Sequence, residues 1–432
     1  MHVFSKEGKV AREKIIVGID VGSSKIVTLI ATAAEEALTV IGVSTVTSRG
    51  IRKGQIVDID EAVGAIGESL EAAERMAGIS VSSCFVTVGG VHISSVNSRG
   101  VVAVAGGENE IGEEDVRRVV EAAQAISVPS SREIIHVIPR DYIVDSQEGI
   151  KDPVGMTGVR LEVETHIITG AATSMRNLVK CIQQVGIDVE GLVFSGISSA
   201  ESTLTDTEKE LGVALIDIGG GTTDVALFVD GSIAHSTVIP IGGKNITNDL
   251  AIGLRSSLEA AEKIKLTLSQ KNHKDDQDRD EEDKKKRDEI DISKLNITEE
   301  LGTLSRKTLT EGIIKPRLTE IFTLIGMEIK RAGYAGLLPA GLVITGGAAD
   351  TILMPQVGKE VLRMPVRVAE PKGVGGLIDE IASPAYSSGV GLIEYGQKIS
   401  GTGAKISLSL PRGKGVIDLA RKLFGWVRGL LP

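Results

Sequence analysis

Two distant segments of this 432-residue chain repeat one pattern, and the repeat restricts the folds open to it. Residues 18–25 read GIDVGSSK and residues 216–224 read IDIGGGTTD. In each, an apolar run leads to an aspartate, a glycine-rich turn with hydroxyl residues follows, and a second apolar run begins, which predicts a tight β-hairpin. Because glycine carries no Cβ, backbone N–H groups at such a tip can approach an anion closely. Two facing hairpins of this kind predict a nucleoside triphosphate held between two similar halves.

The residues at the two tips are the predicted phosphate contacts. Asp20 and Asp217 cannot bind phosphate directly, but each can hold a hydrated Mg²⁺ that does. The β- and γ-phosphates are expected to meet Gly22, Ser23, Ser24 and Lys25 from one hairpin, and Gly219, Gly220, Gly221, Thr222 and Thr223 from the other.

A third glycine-rich segment, residues 342–349 (LVITGGAA), reads as a strand followed by a segment that can start a helix. Gly346 and Gly347 would let the backbone lie flat against a base or ribose. Each segment alone is compatible with a purely structural hairpin, but all three in this order favour a nucleotide site. The ordered trio resembles the ATPase superfamily that holds actin, the heat-shock chaperone ATPases and the sugar kinases. That resemblance implies an α/β, two-lobed, actin-like fold that binds ATP.

A helix predicted over residues 259–269 carries the candidate ribose and base contacts. Ser256 and Glu259 have the spacing of a capping box that would open this helix. Glu262 and Lys265 fall on one face of it. The pair is either a surface ion pair or, as the resemblance implies, a contact to ribose and adenine; the sequence context favours the contact.

Composition excludes several classes of protein. The net charge of −10 gives no indication of a nucleic-acid partner. Cys84 and Cys181 lie in apolar stretches, which predicts reduced core residues in a cytosolic protein. The start of the chain lacks the apolar core of a signal peptide, and no apolar run is long enough to span a bilayer.

Two internal segments depart from the repeated pattern. Residues 83–166 alternate short strands with one predicted helix and are interpreted as a small α+β module inserted into the first half. Residues 271–291 are almost all charged, with both signs mixed, which predicts a disordered or fraying surface insertion.

The end of the chain predicts a membrane anchor. A Gly- and Ser-rich linker precedes residues 416–432, where apolar residues recur at helical spacing and basic residues fall on the other side. A basic amphipathic helix on a flexible linker is typical of a segment that lies in the plane of an anionic membrane surface, although a helix docked on its own domain is the alternative. The predicted membrane contacts are Val416, Leu419, Leu423, Phe424, Trp426, Val427 and Leu430, with Arg421, Lys422 and Arg428 facing the headgroups.

Over nearly its whole length the chain is similar to the FtsA family, the actin-like proteins of bacterial cell division. Besides the phosphate loops, the tail and the inserted module, six further segments carry the resemblance. They are residues 136–145, 158–170, 205–217, 249–254, 314–317 and 384–392.

The resemblance implies an ATP-binding polymer that tethers the tubulin-like protein FtsZ to the inner face of the cytoplasmic membrane at the division site. The inserted module would serve polymer contacts and recruit later division proteins, and residues 243–310 would receive the C-terminal peptide of FtsZ. The implied organisation is subdomain 1A at 1–82, 1C at 83–166, 1A again at 167–208, 2A at 209–242, 2B at 243–310, 2A again at 311–375, 1A again at 376–397, a linker at 398–413 and the membrane helix at 414–432.

Two features of the chain depart from the family pattern. The family usually has Glu-Pro at the positions of Ser195 and Gly196, and the loss of that carboxylate implies slow or absent hydrolysis, with ATP acting as a conformational and polymerisation clamp. The charged insertion lies within the presumed FtsZ-binding subdomain. A related actin-like scaffold for pilus assembly is the nearest alternative, and a small-molecule kinase of the same fold is a more remote one.

Overall fold

The computed structural model describes residues 14–34, 37–126, 128–270, 288–290 and 304–401. The chain divides into two compact units, Met1–Gln397 and Lys398–Pro432. Of the second unit only residues 398–401, the end of the helix Ser387–Gly401, are described, and the predicted membrane helix lies outside the described residues. Most of the charged insertion also lies outside them.

Two central sheets are built from the repeated hairpins. Among the described residues, the first sheet has, in spatial order, β3 (Ala37–Thr47), β2 (Lys25–Ala34), β1 (Lys14–Val21), β6 (Ser83–Val88) and β11 (Asp188–Phe194), with β19 (Val374–Gly376) beside β3. The second sheet has β14 (Ser232–Ile239), β13 (Thr223–Val229), β12 (Val213–Ile218), β17 (Gly341–Thr345) and β18 (Val366–Val368).

The two sheets share one topology. In each, the hairpin and the next strand pair antiparallel, and two further strands then add in parallel on the other side of the first strand. The hairpin strands read as nearly continuous apolar runs because helices cover both faces of such sheets. The predicted pair of similar halves is therefore confirmed at the level of strand order and direction.

A third, antiparallel sheet forms the inserted module. Its strands, in spatial order, are β7 (Ser94–Ala103), β10 (Arg160–Ala171), β8 (Arg132–Val144) and β9 (Gln147–Ile150). The helix α2 (Glu113–Gln124) covers one face of this sheet, where Val119 and Leu161 are fully buried. The strand at residues 83–88 was assigned to the module by sequence, but it pairs with β1 and β11 and so belongs to the first sheet.

The remaining helices pack around the central sheets. They are α1 (Ile59–Ala77), α3 (Ala172–Gln184), α4 (Ser195–Thr203), α5 (Asp206–Leu211), α6 (Gly243–Leu254), α7 (Leu258–Ser269), α8 (Arg306–Leu309), α9 (Lys315–Arg331), α10 (Met354–Leu362), α11 (Ile378–Ile381) and α12 (Ser387–Gly401). The short elements are strands β4 (Ile51–Arg52), β5 (Gln55–Ile56), β15 (Glu289–Ile290) and β16 (Leu304–Ser305), the 3₁₀ turns Gly107–Asn109 and Pro384–Tyr386, and the π turn Thr310–Ile314.

Local sequence signals set several of the helix ends. Asp58 caps α1 by accepting a hydrogen bond from the backbone N–H of Glu61, and Gly78 ends the helix in the left-handed conformation. Pro316 stands in the first turn of α9, so it restarts the helix after the π turn. The capping box predicted for α7 is wrong by one residue, because Ser257, not Ser256, accepts from the backbone of Ala260. No helix within the described ranges combines the length and apolar character needed to cross a bilayer.

Candidate nucleotide-binding site

A cavity of about 730 Å³ lies where the two hairpin tips and the third glycine-rich segment meet. Its volume is within the range of small-molecule and cofactor sites. The sequence-predicted residues that line it are Asp20, Gly22, Ser23, Ser24, Lys25, Asp217, Gly219, Gly220, Thr222, Glu262, Lys265, Gly346 and Gly347. Gly221 and Thr223 do not line it; the Thr223 hydroxyl is buried and donates to the carbonyl of Ile241 at 2.8 Å.

The two tips have the same turn geometry and lie against each other. In the first, the N–H of Gly22 donates to the carbonyl of Lys25 at 3.1 Å; in the second, the N–H of Gly219 donates to that of Thr222 at 2.9 Å. A Cβ on Gly220 would collide with the hydroxyl of Ser24, so only glycine permits this approach. The glycines are therefore required for the two tips to pack against each other. They also leave the backbone N–H groups accessible to an anion.

Three aspartates converge on the cavity, Asp217 and Asp224 buried and Asp20 partly buried, and each accepts a hydrogen bond from a hydroxyl. Asp20 accepts from Thr87 at 2.7 Å, Asp217 accepts from Ser199, and Asp224 accepts from Ser195. Thr87, like the three aspartates, lines the cavity. The carboxyl groups are thus oriented by neutral donors, which leaves their negative charge uncompensated by these contacts.

Burial raises the pKa of all three carboxyls, and repulsion between the carboxylates adds to the rise at Asp217 and Asp224. Burial raises the pKa of Asp217 to about 6; the Ser199 hydroxyl opposes the rise, the charge of Asp20 adds to it and Lys25 opposes it. Burial raises the pKa of Asp224 to about 8, and the charge of Asp217 adds to the effect. A divalent cation among these carboxylates would remove both the repulsion and the desolvation cost.

Asp224 is a site residue that the sequence analysis did not select. It lies directly opposite Asp217 in the β12–β13 pairing, and like charges in that position are destabilising unless a ligand balances them. Its Oδ1 is buried without a hydrogen-bond partner. The sequence did contain a signal for this residue. Asp224 is the last residue of the second motif, and the first motif has no aspartate or glutamate at the corresponding position.

These residues fit a hydrated Mg²⁺. The unpartnered Oδ1 of Asp224 and the carboxylates of Asp20 and Asp217 are hard oxygen acceptors, as Mg²⁺ and its water shell require. Within the described ranges, no three His, Cys, Asp or Glu side chains are grouped so as to bind a metal directly. Asp20, Asp217 and Asp224 are therefore the residues that would hold the ion through water.

Lys25 lies on the same side of the cavity as the first tip. Its Nζ lies 4.3 Å from the centroid of the Tyr386 ring, which fixes the ammonium by a cation–π contact. Burial lowers the pKa of Lys25, while the charges of Asp20 and Asp217 act in the opposite direction.

The predicted ribose and base residues form one polar cluster on the cavity wall. The Nζ of Lys265 donates to Glu262 at 2.7 Å and to the hydroxyl of Thr247 at 2.9 Å, and that hydroxyl also donates to Glu262. Lys265 is only 7% exposed but the side chain of Glu262 is 43% exposed, so the ion pair between them is half-buried. The cluster faces the cavity, and its contact with a nucleotide stays a prediction.

Gly346 and Gly347 occupy the third segment for different reasons. Gly346 has φ +91°, and a Cβ there would collide with Oδ1 of Asp217. Gly347 has open space where a Cβ would stand. Gly346 thus positions an aspartate of the phosphate side, whereas Gly347 leaves room in the cavity.

Comparisons of the sequence with known families give a consistent result. Residues 90–169 match the family model described as the SHS2 domain inserted in FtsA, and residues 214–391 match the model described as cell division protein FtsA. Cell division protein FtsA of Pseudomonas aeruginosa is 40% identical over 408 residues, which cover 92% of each chain. The Bacillus subtilis protein of that name is 39% identical over 92% of this chain and 87% of its own, and the Escherichia coli K12 protein is 34% identical over 90% and 92%.

Solved structures confirm the predicted actin-like fold. The PilM–PilN type IV pilus biogenesis complex superposes with a TM-score of 0.62 at 13% identity, covering 88% of this chain and 98% of that chain. MreB5 of Spiroplasma citri bound to ADP superposes with a TM-score of 0.51 at 13% identity, covering 90% and 99%. At these identities the likeness establishes the fold alone.

Proposed function

This chain belongs to the FtsA family of cell division proteins, and on that premise we propose that it is an ATP-binding, polymerising anchor of the division ring. ATP with Mg²⁺ would occupy the cavity between the two sheets, and the protein would tether FtsZ to the inner face of the cytoplasmic membrane. The observation that carries the nucleotide part is the meeting of both phosphate hairpins and the third glycine-rich segment around one cavity.

ATP is proposed to act as a clamp with slow or absent hydrolysis. Ser195 is the first residue of α4, and its hydroxyl donates to Asp224. A hydroxyl at this place orients Asp224 but adds no further carboxylate to the cavity. This arrangement supports nucleotide binding and polymer assembly as the use of the site.

The membrane and partner contacts are proposed from sequence and family membership. The amphipathic pattern of residues 416–432 supports reversible binding to anionic lipid as a peripheral protein. We assign the FtsZ peptide to residues 243–310, and self-association and later division proteins to the inserted module, whose sheet is formed by strands β7 to β10.

Sedimentation with liposomes tests the proposal. The full chain and a chain ending at Pro411 are mixed with vesicles containing anionic lipid, with and without Mg-ATP, and the pellets are viewed by electron microscopy. We expect the full chain to pellet as filaments on the lipid and the shortened chain to stay in the supernatant. Trp426→Glu, which places a charge on the apolar side, should abolish pelleting, whereas Asp418→Asn on the polar side should not. Equal recovery of the full and shortened chains in the supernatant would overturn the membrane proposal.

A further inference from the structure

The first turn of α6 lies against both phosphate hairpins. The backbone N–H groups of Gly243 and Lys244 donate to the carbonyl oxygens of Gly219 (2.9 Å) and Gly220 (2.8 Å). The Nζ of Lys244 donates to the carbonyl of Ser23 at 2.7 Å. Lys244 therefore touches the second hairpin through its backbone and the first through its side chain.

Lys244 also lines the cavity, and its ammonium is placed differently from the other two lysines there. Lys265 forms an ion pair with Glu262, and the charges of Asp20 and Asp217 act on Lys25, whereas the charges of Glu262 and Arg52 act on Lys244 in opposite directions. The described contact of the Lys244 Nζ is to a neutral carbonyl. An ammonium has three donors, so it can keep the Ser23 carbonyl and donate to a phosphate oxygen as well.

The charge balance of the cavity favours such a contact. Five carboxylate side chains line it, those of Asp20, Asp217, Asp224, Glu259 and Glu262, and a triphosphate would bring further negative charge into the same volume. Opposite charges attract most strongly where water is partly excluded. A cation that reaches the first hairpin from the second half of the molecule compensates this charge while it links the two halves.

We propose that Lys244 binds the phosphate tail of ATP and, through Ser23 and Gly220, couples that binding to the closure of the two hairpins. This inference rests on the proposed ATP site. If Lys244 has this role, the phosphates of the nucleotide, and not its adenosine, link the two halves of the molecule.

Nucleotide titrations of the full-length protein test this role. Affinities for ATP, ADP and adenosine are measured by calorimetry in the presence of Mg²⁺ for the wild type, Lys244→Gln and Lys244→Arg. Lys359→Gln makes the same chemical change at an exposed position of α10 and serves as the matched control. Thermal unfolding midpoints establish that each variant is folded.

We expect Lys244→Gln to weaken ATP and ADP binding by about tenfold to a hundredfold, since a charge-assisted hydrogen bond is lost, and to change adenosine binding less than twofold. Lys244→Arg should restore most of the phosphate-dependent affinity, and Lys359→Gln should match the wild type. Unchanged ATP affinity in Lys244→Gln, or an equal loss for ATP and adenosine, would overturn the phosphate role. A wild-type protein that binds no ATP would instead refute the proposed nucleotide function itself.

Discussion

Asp217 and Asp224 face each other across the second hairpin, and both carboxyl groups are buried. In the absence of a cation, a charge on either carboxyl is desolvated and is repelled by a charge on the other, and the pKa of both groups is raised as a result. The neighbouring hydroxyls of Ser199 and Ser195 orient the two groups but carry no charge. Because this pair of carboxyls does not stabilise the fold, we infer that it binds a ligand. A hydrated Mg²⁺ is the ligand that matches carboxylate oxygens in this position.

Replacing Asp217 with alanine is therefore expected to weaken Mg-ATP binding by about 10- to 100-fold, a typical effect of losing a group that orients a metal through water. The free energy of unfolding should not fall, because the substitution also removes a buried like-charge contact. Calorimetry with and without Mg²⁺, together with urea unfolding, measures both effects. Asp188→Ala, at an exposed position of β11, is the control. Wild-type affinity in Asp217→Ala would contradict the assignment.

At the scale of elements, the sequence predicted those features that depend on neighbours along the chain. The two hairpins follow from local backbone chemistry, because the apolar runs and the glycine-rich turn of each are consecutive in the chain. The strand Ser83–Val88 was misplaced because its partners, β1 and β11, are distant in sequence. Asp224 was missed for a different reason: it belongs to the same hairpin as Asp217, but its position opposite that residue depends on the exact register of the two strands.

The buried His166 of β10 is expected to make the stability of the inserted sheet depend on pH. Its Nδ1 lies 2.6 Å from Oδ1 of Asn97, and its Nε2 lies 2.9 Å from the hydroxyl of Ser236 on β14. Burial lowers the pKa of His166 to about 3, and the charges of His235, Arg140 and His136 add to the effect. The ring of His166 is neutral in the folded protein. Its contribution to the free energy of unfolding is therefore complete above the pKa that the histidine has in the unfolded chain, and it is lost as the pH falls below that value.

We expect the difference in unfolding free energy between the wild type and His166→Gln to shrink by about 2 kcal/mol from pH 7.5 to pH 5. The raised pKa values of Asp217 and Asp224 act in the opposite direction, because these carboxyls bind protons more readily in the folded state. Their contribution is common to both proteins and cancels in the difference. Urea titrations of both proteins at several pH values measure this difference in unfolding free energy. A difference that stays constant with pH would refute this role of His166.

At the scale of the whole molecule, the inserted sheet, which follows β6 of the first half, covers the open edge of the second half. The side chain of Ser95 on β7 donates to the carbonyl of Ser236 at 2.7 Å and accepts from its N–H at 3.3 Å. The amide of Asn97 donates to the carbonyl of Ala234 at 3.1 Å. One hydroxyl therefore pairs both free backbone groups of an edge-strand residue, which protects β14 from pairing with another chain.

Removing that hydroxyl should open this edge without disturbing the rest of the second sheet. In Ser95→Ala we expect faster amide hydrogen exchange at Ser236, because its N–H loses its acceptor, and a loss of about 1–3 kcal/mol in unfolding free energy. Exchange along β17 in the interior of the same sheet should not change. Ser98→Ala is the matched control, because its hydroxyl bonds the carbonyl of Ala123 within the module and does not touch β14. If both variants increase exchange at Ser236 equally, the inserted sheet does not protect this edge through Ser95; an increase confined to Ser95→Ala identifies the hydroxyl as the link between the module and the second half.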